Sequence, residues 1–93
     1  MSMRASYEKK IQAQLDELRI DIEKLKTKAI QMETNLQLEY YTQIEELQLK
    51  LAAAEKKFEL LRQVHDDSWE TFKTDLEQSW KSLRELIKAI TSP

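Results

Sequence analysis

From residue 11 to residue 90 an apolar side chain returns on nearly every turn of a helix, and this unbroken rhythm limits the fold more than any other feature of the chain. The series runs 11, 15, 18, 22, 25, 29, 32, 36, 40, 44, 47, 51, 54, 58, 61, 65, 69, 72, 76, 80, 83, 87 and 90, with His65 its one polar member. Its 22 steps cover 79 residues, or 3.59 residues per step. That is the α-helical period, far from the period of two that a strand requires. The expected fold class is therefore all-α.

The stripe changes rhythm along its length. Ile11, Leu15, Leu18, Ile22, Leu25, Met32 and Leu36 follow alternating steps of four and three, the heptad pattern of a left-handed coiled coil, with Ile22 at an a-type and Leu18 and Leu25 at d-type positions. Beyond Leu36, consecutive fours enter through Tyr40 and Ile44, and Leu36, Leu47, Phe58, Trp69 and Trp80 recur every eleven residues. Eleven residues in three turns favours a nearly straight helix. With Leu51, Leu61, Phe72, Leu76, Leu83, Ile87 and Ile90, these residues are the expected helix–helix interface. A second apolar set, Leu38, Leu49 and Leu60, is also spaced by eleven and lies well round the helix from the first, with Ile20 projecting the same way. A two-stranded coil has no use for such residues, so they point to a bundle of three or more helices that buries both sides.

Two arrangements fit this pattern. The chain has no glycine, and its single proline is residue 93, so tight turns lack their usual residues. Phase also persists across every candidate break, which favours one elongated unit over residues 1–93: a long helix over about 3–64, a kink or hinge near 64–68, and an aromatic helix over about 67–91. At the kink, Asp67 is placed to cap, with Glu70 reaching back. A long helix of that kind cannot cover its own apolar face, so it must self-associate as a homo-oligomeric coiled coil or bundle. The alternative is a monomeric three-helix bundle over roughly 3–32, 36–64 and 68–91, with a second break at Glu33-Thr34-Asn35.

Little in the chain suggests chemistry. No phosphate loop or dinucleotide fingerprint is possible without glycine, and no Ser-His-Asp set is present. The expectation is that the chain is not an enzyme and takes no cofactor. Cysteine is absent, and the lone His65, beside Asp66 and Asp67, lacks a second histidine or a Glu-x-x-His to complete a metal site. At a seam position it reads as a tolerated polar layer that makes association sensitive to mild acid. The 15 basic and 17 acidic residues are interspersed, giving a net charge of −2, and form no basic stripe, which argues against nucleic acid. Without a leader-like or membrane-spanning apolar run, a cytoplasmic location is the default.

The C-terminal aromatic face, Trp69 through Ile90, also suits a helix lying at a membrane surface. Its polar side carries Lys73, Lys81, Arg84 and Lys88 against Asp66, Asp67, Glu70, Asp75, Glu77 and Glu85. That net negative balance disfavours anionic lipid and favours packing against other helices.

Three stretches carry a family likeness: Tyr7 to Leu15 (Tyr-x-x-Lys-x-x-x-x-Leu), Glu39-Tyr40 to Leu47, and Trp69-Glu-Thr-Phe72-Lys73 through Trp80-Lys-Ser-Leu83. In these the chain resembles small bacterial coiled-coil proteins of about this length, often labelled hypothetical or stress-response proteins. The resemblance implies a soluble, helical bacterial protein loosely tied to stress, with no reaction or ligand. Such proteins commonly carry a glycine near the position of residues 64–67, and its absence here again points to a kink rather than a turn. The functional expectation is a structural or interaction protein whose partner is itself, with peripheral lipid binding through the C-terminal helix as the alternative.

Overall fold

The computed structural model describes residues 3–91, which form three α-helices, α1 (Met3–Ile30), α2 (Thr34–Gln63) and α3 (Asp66–Thr91). No strand occurs among the described residues. The helices fold back on one another in an up-down-up bundle of 51 × 20 × 20 Å. Of the two arrangements drawn from the sequence, this is the three-helix one. A continuous helix over 3–64 does not form, because α1 ends at Ile30 and the chain reverses.

Both reversals are built without glycine, and no described residue has a positive φ. The chain leaves each helix through one extended residue, Glu33 at φ −62°, ψ 145° and Val64 at φ −81°, ψ 156°, a backbone region open to any L-residue. Before Glu33, the amides of Gln31 and Met32 donate to the carbonyls of Lys28 and Ala29, both at 3.1 Å, which tightens the last turn of α1. The Gln37 side-chain amide, from the first turn of α2, then donates to the carbonyls of Ala29 (3.1 Å) and Ile30 (3.2 Å). The carbonyls left over at a helix end are thus met by the next helix. The expectation that tight turns need glycine or proline fails here because side chains satisfy those groups.

The second joint is a full turn, not a kink, and α3 begins at Asp66, one residue before the expected cap. Asp67 is therefore already inside the first turn, where its charge meets the positive end of the helix. The carbonyls at the end of α2 are met from the far end of the chain. Arg4 donates through Nη2 to Leu61 (3.1 Å), Arg62 (3.3 Å) and Val64 (2.7 Å), and through Nη1 to the Asp66 carboxylate (2.8 Å). One arginine of α1 so closes α2 and anchors the start of α3.

The core is the heptad stripe. Ile11, Leu15, Leu18, Ile22, Leu25 and Ala29 of α1 pack against Tyr40, Ile44, Leu47, Leu51, Ala54, Phe58 and Leu61 of α2, and against Trp69, Leu76, Leu83 and Ile90 of α3. Within α2 the steps are strictly four and three, so the eleven-residue rhythm is not the period of the buried face. Inside a helix eleven is the sum of heptad steps of four, three and four, and the joints keep it: Ala29 to Tyr40 and Phe58 to Trp69 each span eleven residues across a turn. A short reversal flanked by heptads imitates three helical turns, which is why phase survives both breaks.

Candidate interaction surface

The structure divides the expected interface residues into three groups. Fifteen of them are the buried residues just named, Ala29 and Ala54 completing that set, while Met32, Phe72, Trp80 and Ile87 are partly buried against it. Leu36 is the exception at 46% exposed, one turn before Tyr40, the first residue of α2 that the bundle covers. His65 is not a seam residue: it sits exposed in the α2–α3 turn, where its carbonyl accepts from the Ser68 amide at 3.0 Å.

The three-helix unit by itself does not bury the second stripe. Leu38 is 77%, Leu49 68%, Leu60 44% and Ile20 57% exposed. The reason lies in angle: at about 100° per residue the three leucines of α2 point almost directly away from its heptad face, where no helix of a three-helix bundle can reach them. Ile20 has the same relation to the core face of α1 and stands alone there. Ala52 and Ala53 lie beside Leu49 and are exposed, and Thr42, Glu45 and Lys56 stand between the leucines, so the ridge is three apolar points about 16 Å apart among small and polar residues. Exposed single leucines are ordinary, but an aligned set on a helix otherwise clothed in charge is the usual mark of an association surface.

A second feature lies between α1 and α3. These parallel helices never bring their described Cα atoms within 8 Å, and an open groove of about 730 Å³ runs between them, floored by Leu18, Trp80 and Ile87. Glu17 and Asp21 line its α1 side, Lys81 and Arg84 its α3 side. The seam is closed only at the end where Arg4 and Tyr7 sit. There Tyr7 meets Trp69 edge-on at 5.4 Å between ring centroids, Lys73 lies 5.0 Å over the Tyr7 ring and Arg4 5.9 Å over the Trp69 ring. The Tyr7 hydroxyl donates to Glu77 at 3.2 Å. Burial first, then the adjoining Glu77 carboxylate, push the Tyr7 pKa up to about 12. Arg4 and Tyr7 precede the stripe that begins at Ile11 and lie on its continuation, seven and four residues before it, but period gives no sign of their polar contacts.

No group of acidic, histidine or cysteine side chains suited to a metal ion occurs among the described residues, and no described helix is long and apolar enough to cross a membrane. The chain matches no protein-family model, none of the characterised proteins compared with it, and no solved structure. The surface must therefore speak for itself. Its distinctive element is the leucine ridge of α2.

Proposed function

We propose that this chain is an interaction protein, a folded three-helix unit that self-associates into a homo-oligomeric helical assembly through the outward face of α2. It acts by association rather than by catalysis, as a cytoplasmic scaffold of the stress-related kind that the family resemblance suggests. The observation that carries this reading is the exposed row Leu38, Leu49 and Leu60, apolar area that only a second chain can remove from water. Sedimentation equilibrium from micromolar to millimolar chain tests it. The mass should rise with concentration for the natural sequence and stay monomeric for Leu49→Lys; a natural chain that remains monomeric throughout removes the proposal.

The competing reading is a lipid-surface helix over 66–91. Trp69, Leu76, Leu83 and Ile90 face the core, so that reading requires α3 to leave the bundle when it meets lipid. Tryptophan emission that shifts on adding neutral or anionic vesicles would favour it over self-association.

A further inference from the structure

The outward face of α2 carries a charge pattern of its own. Before Leu49 its flanking charges are acidic, Glu39, Glu45 and Glu46; after it they are basic, Lys50, Lys56 and Lys57. The two acids that break the pattern are paired, Glu55 with Arg19 of α1 at 2.7 Å and Glu59 with Arg62 of its own helix at 3.5 Å. Lys50 and Lys57 also reach α3, through Ser82 at 2.9 Å and Asp75 at 3.1 Å. Glu45 and Lys56, closest to the leucine row, have no ion pair among the described residues.

The leucines are spaced evenly about Leu49. Reversing a second α2 end for end about that residue lays Leu38 on the second copy's Leu60, Leu49 on its counterpart, and Leu60 on Leu38. The same reversal carries the second copy's Lys56 to the level of residue 42, three residues or about 4.5 Å of rise from Glu45. It brings the second copy's Lys57 and Lys50 within two residues of Glu39 and Glu46. A two-fold axis keeps each flank of the ridge on its own side, and Glu45 and Lys56 share one flank while the other four share the opposite one at about 100° per residue. Each of Glu39, Glu45 and Glu46 then faces a base. A parallel two-fold crosses the flanks and sets Glu45 level with the other copy's Glu46 and Lys56 level with its Lys57, like beside like, which is the arrangement charge selects against.

We propose that two copies of this chain dock through the outward faces of α2 in an antiparallel, two-fold arrangement centred on Leu49, with Glu45 of each copy opposite Lys56 of the other. The occupant of the ridge is a second copy rather than an unrelated helix because both its spacing and its charge are complementary to themselves. With α1 and α3 behind α2, nothing in the bundle obstructs the approach. This proposal rests on the self-association reading above, and adds the orientation and register that reading leaves open.

The chain has no cysteine, so introduced thiols report contacts directly. Equal amounts of Leu38→Cys and Leu60→Cys chains, equilibrated at millimolar concentration in glutathione redox buffer, would give one half mixed disulfide if pairing were random. The antiparallel dimer should give the mixed 38–60 disulfide several-fold above both symmetric ones. An excess of symmetric disulfides would overturn the orientation while leaving self-association intact. Random proportions would overturn the docked face: with a natural chain that sediments as a dimer, only this proposal falls, and with a monomeric one both fall. Charge exchange supplies an independent arm. Glu45→Lys or Lys56→Glu alone should weaken the dimer about tenfold, since each creates like-charge contacts twice over, and the double variant should recover to near the natural affinity. Additive losses in the double variant would refute the Glu45–Lys56 pairing.

Discussion

Trp69 and Trp80 occupy equivalent places in the sequence, each behind a serine, eleven residues apart and on the same face of α3, yet the fold uses them differently. Trp69 is 8% exposed, with Tyr7 against it and the cations of Arg4 and Lys73 over its ring. Trp80 is half-buried and walls the open groove between α1 and α3. The difference comes from neither residue. It comes from α1, which supplies Arg4 and Tyr7 at its beginning and, where it lines the groove, only Gln14, Glu17, Leu18 and Asp21. One stripe therefore gives a sealed end and an open end, and helical phase alone cannot tell them apart.

The largest expected effect separates the two tryptophans directly. Trp69→Ala should cost about 3–5 kcal/mol, the usual range for deleting a buried aromatic, whereas Trp80→Ala should cost less, about 2–3 kcal/mol, because part of its area already faces the groove. Urea unfolding of both variants measures this, and equal losses would mean that the groove is closed in solution. The Trp69 indole N–H is buried without a hydrogen-bond partner among the described residues, so its value is in packing and ring contacts rather than in a polar anchor.

Next in size is Arg4→Ala. It strips the donor from two carbonyls of α2, from that of Val64 in the turn and from the Asp66 carboxylate, and should cost about 2 kcal/mol, more than a surface charge is ordinarily worth. Amide exchange should quicken around 61–66 while the groove end is unaffected. Uniform quickening along all three helices would show that Arg4 does not act locally.

The smallest effect sharpens the same contrast through pH. The folded chain holds the Tyr7 proton up to about 12, against an ordinary value of 10. The stability this confers is complete below pH 10 and is lost as pH rises from 10 to 12. Thermal melts should fall across that window and fall less in Tyr7→Phe, and the phenolate absorbance of the natural chain should show one of its three tyrosines titrating late. Identical alkaline losses in both proteins would exclude Tyr7 as the source.

Much of this was legible in the spacing of apolar residues, and the failures have definite causes. Leu18, Leu47 and Leu76 could be placed in the core because period and phase determine which side of a helix is covered. The joints could not be found that way. Ala29 to Tyr40 and Phe58 to Trp69 each add up to eleven residues, so a reversal leaves the stripe in register, and Glu33 and Val64 turn the chain by extended geometry that no particular residue type announces. His65 was misread for the same reason, as its place in the series belongs to a turn. Arg4 was invisible because its acceptors are backbone carbonyls 57 to 60 residues away. For the candidate surface, Leu38, Leu49 and Leu60 were visible as an aligned second set. Their exposure was not, since it depends on there being three helices and on none lying outside α2.

The reach of Arg4 also orders events in time. The α1–α2 and α2–α3 hairpins each join neighbours in sequence and can close quickly as local structures. The arginine, by contrast, has only Glu8 of its own helix to hold until Val64 has turned the chain and Asp66 has followed it. On a ribosome, where α1 emerges ahead of α2 and α3, Arg4 must wait for residues 61–66 to follow before it finds those acceptors. The start of α1 is thus among the first parts of the bundle to be made and the last to be fastened.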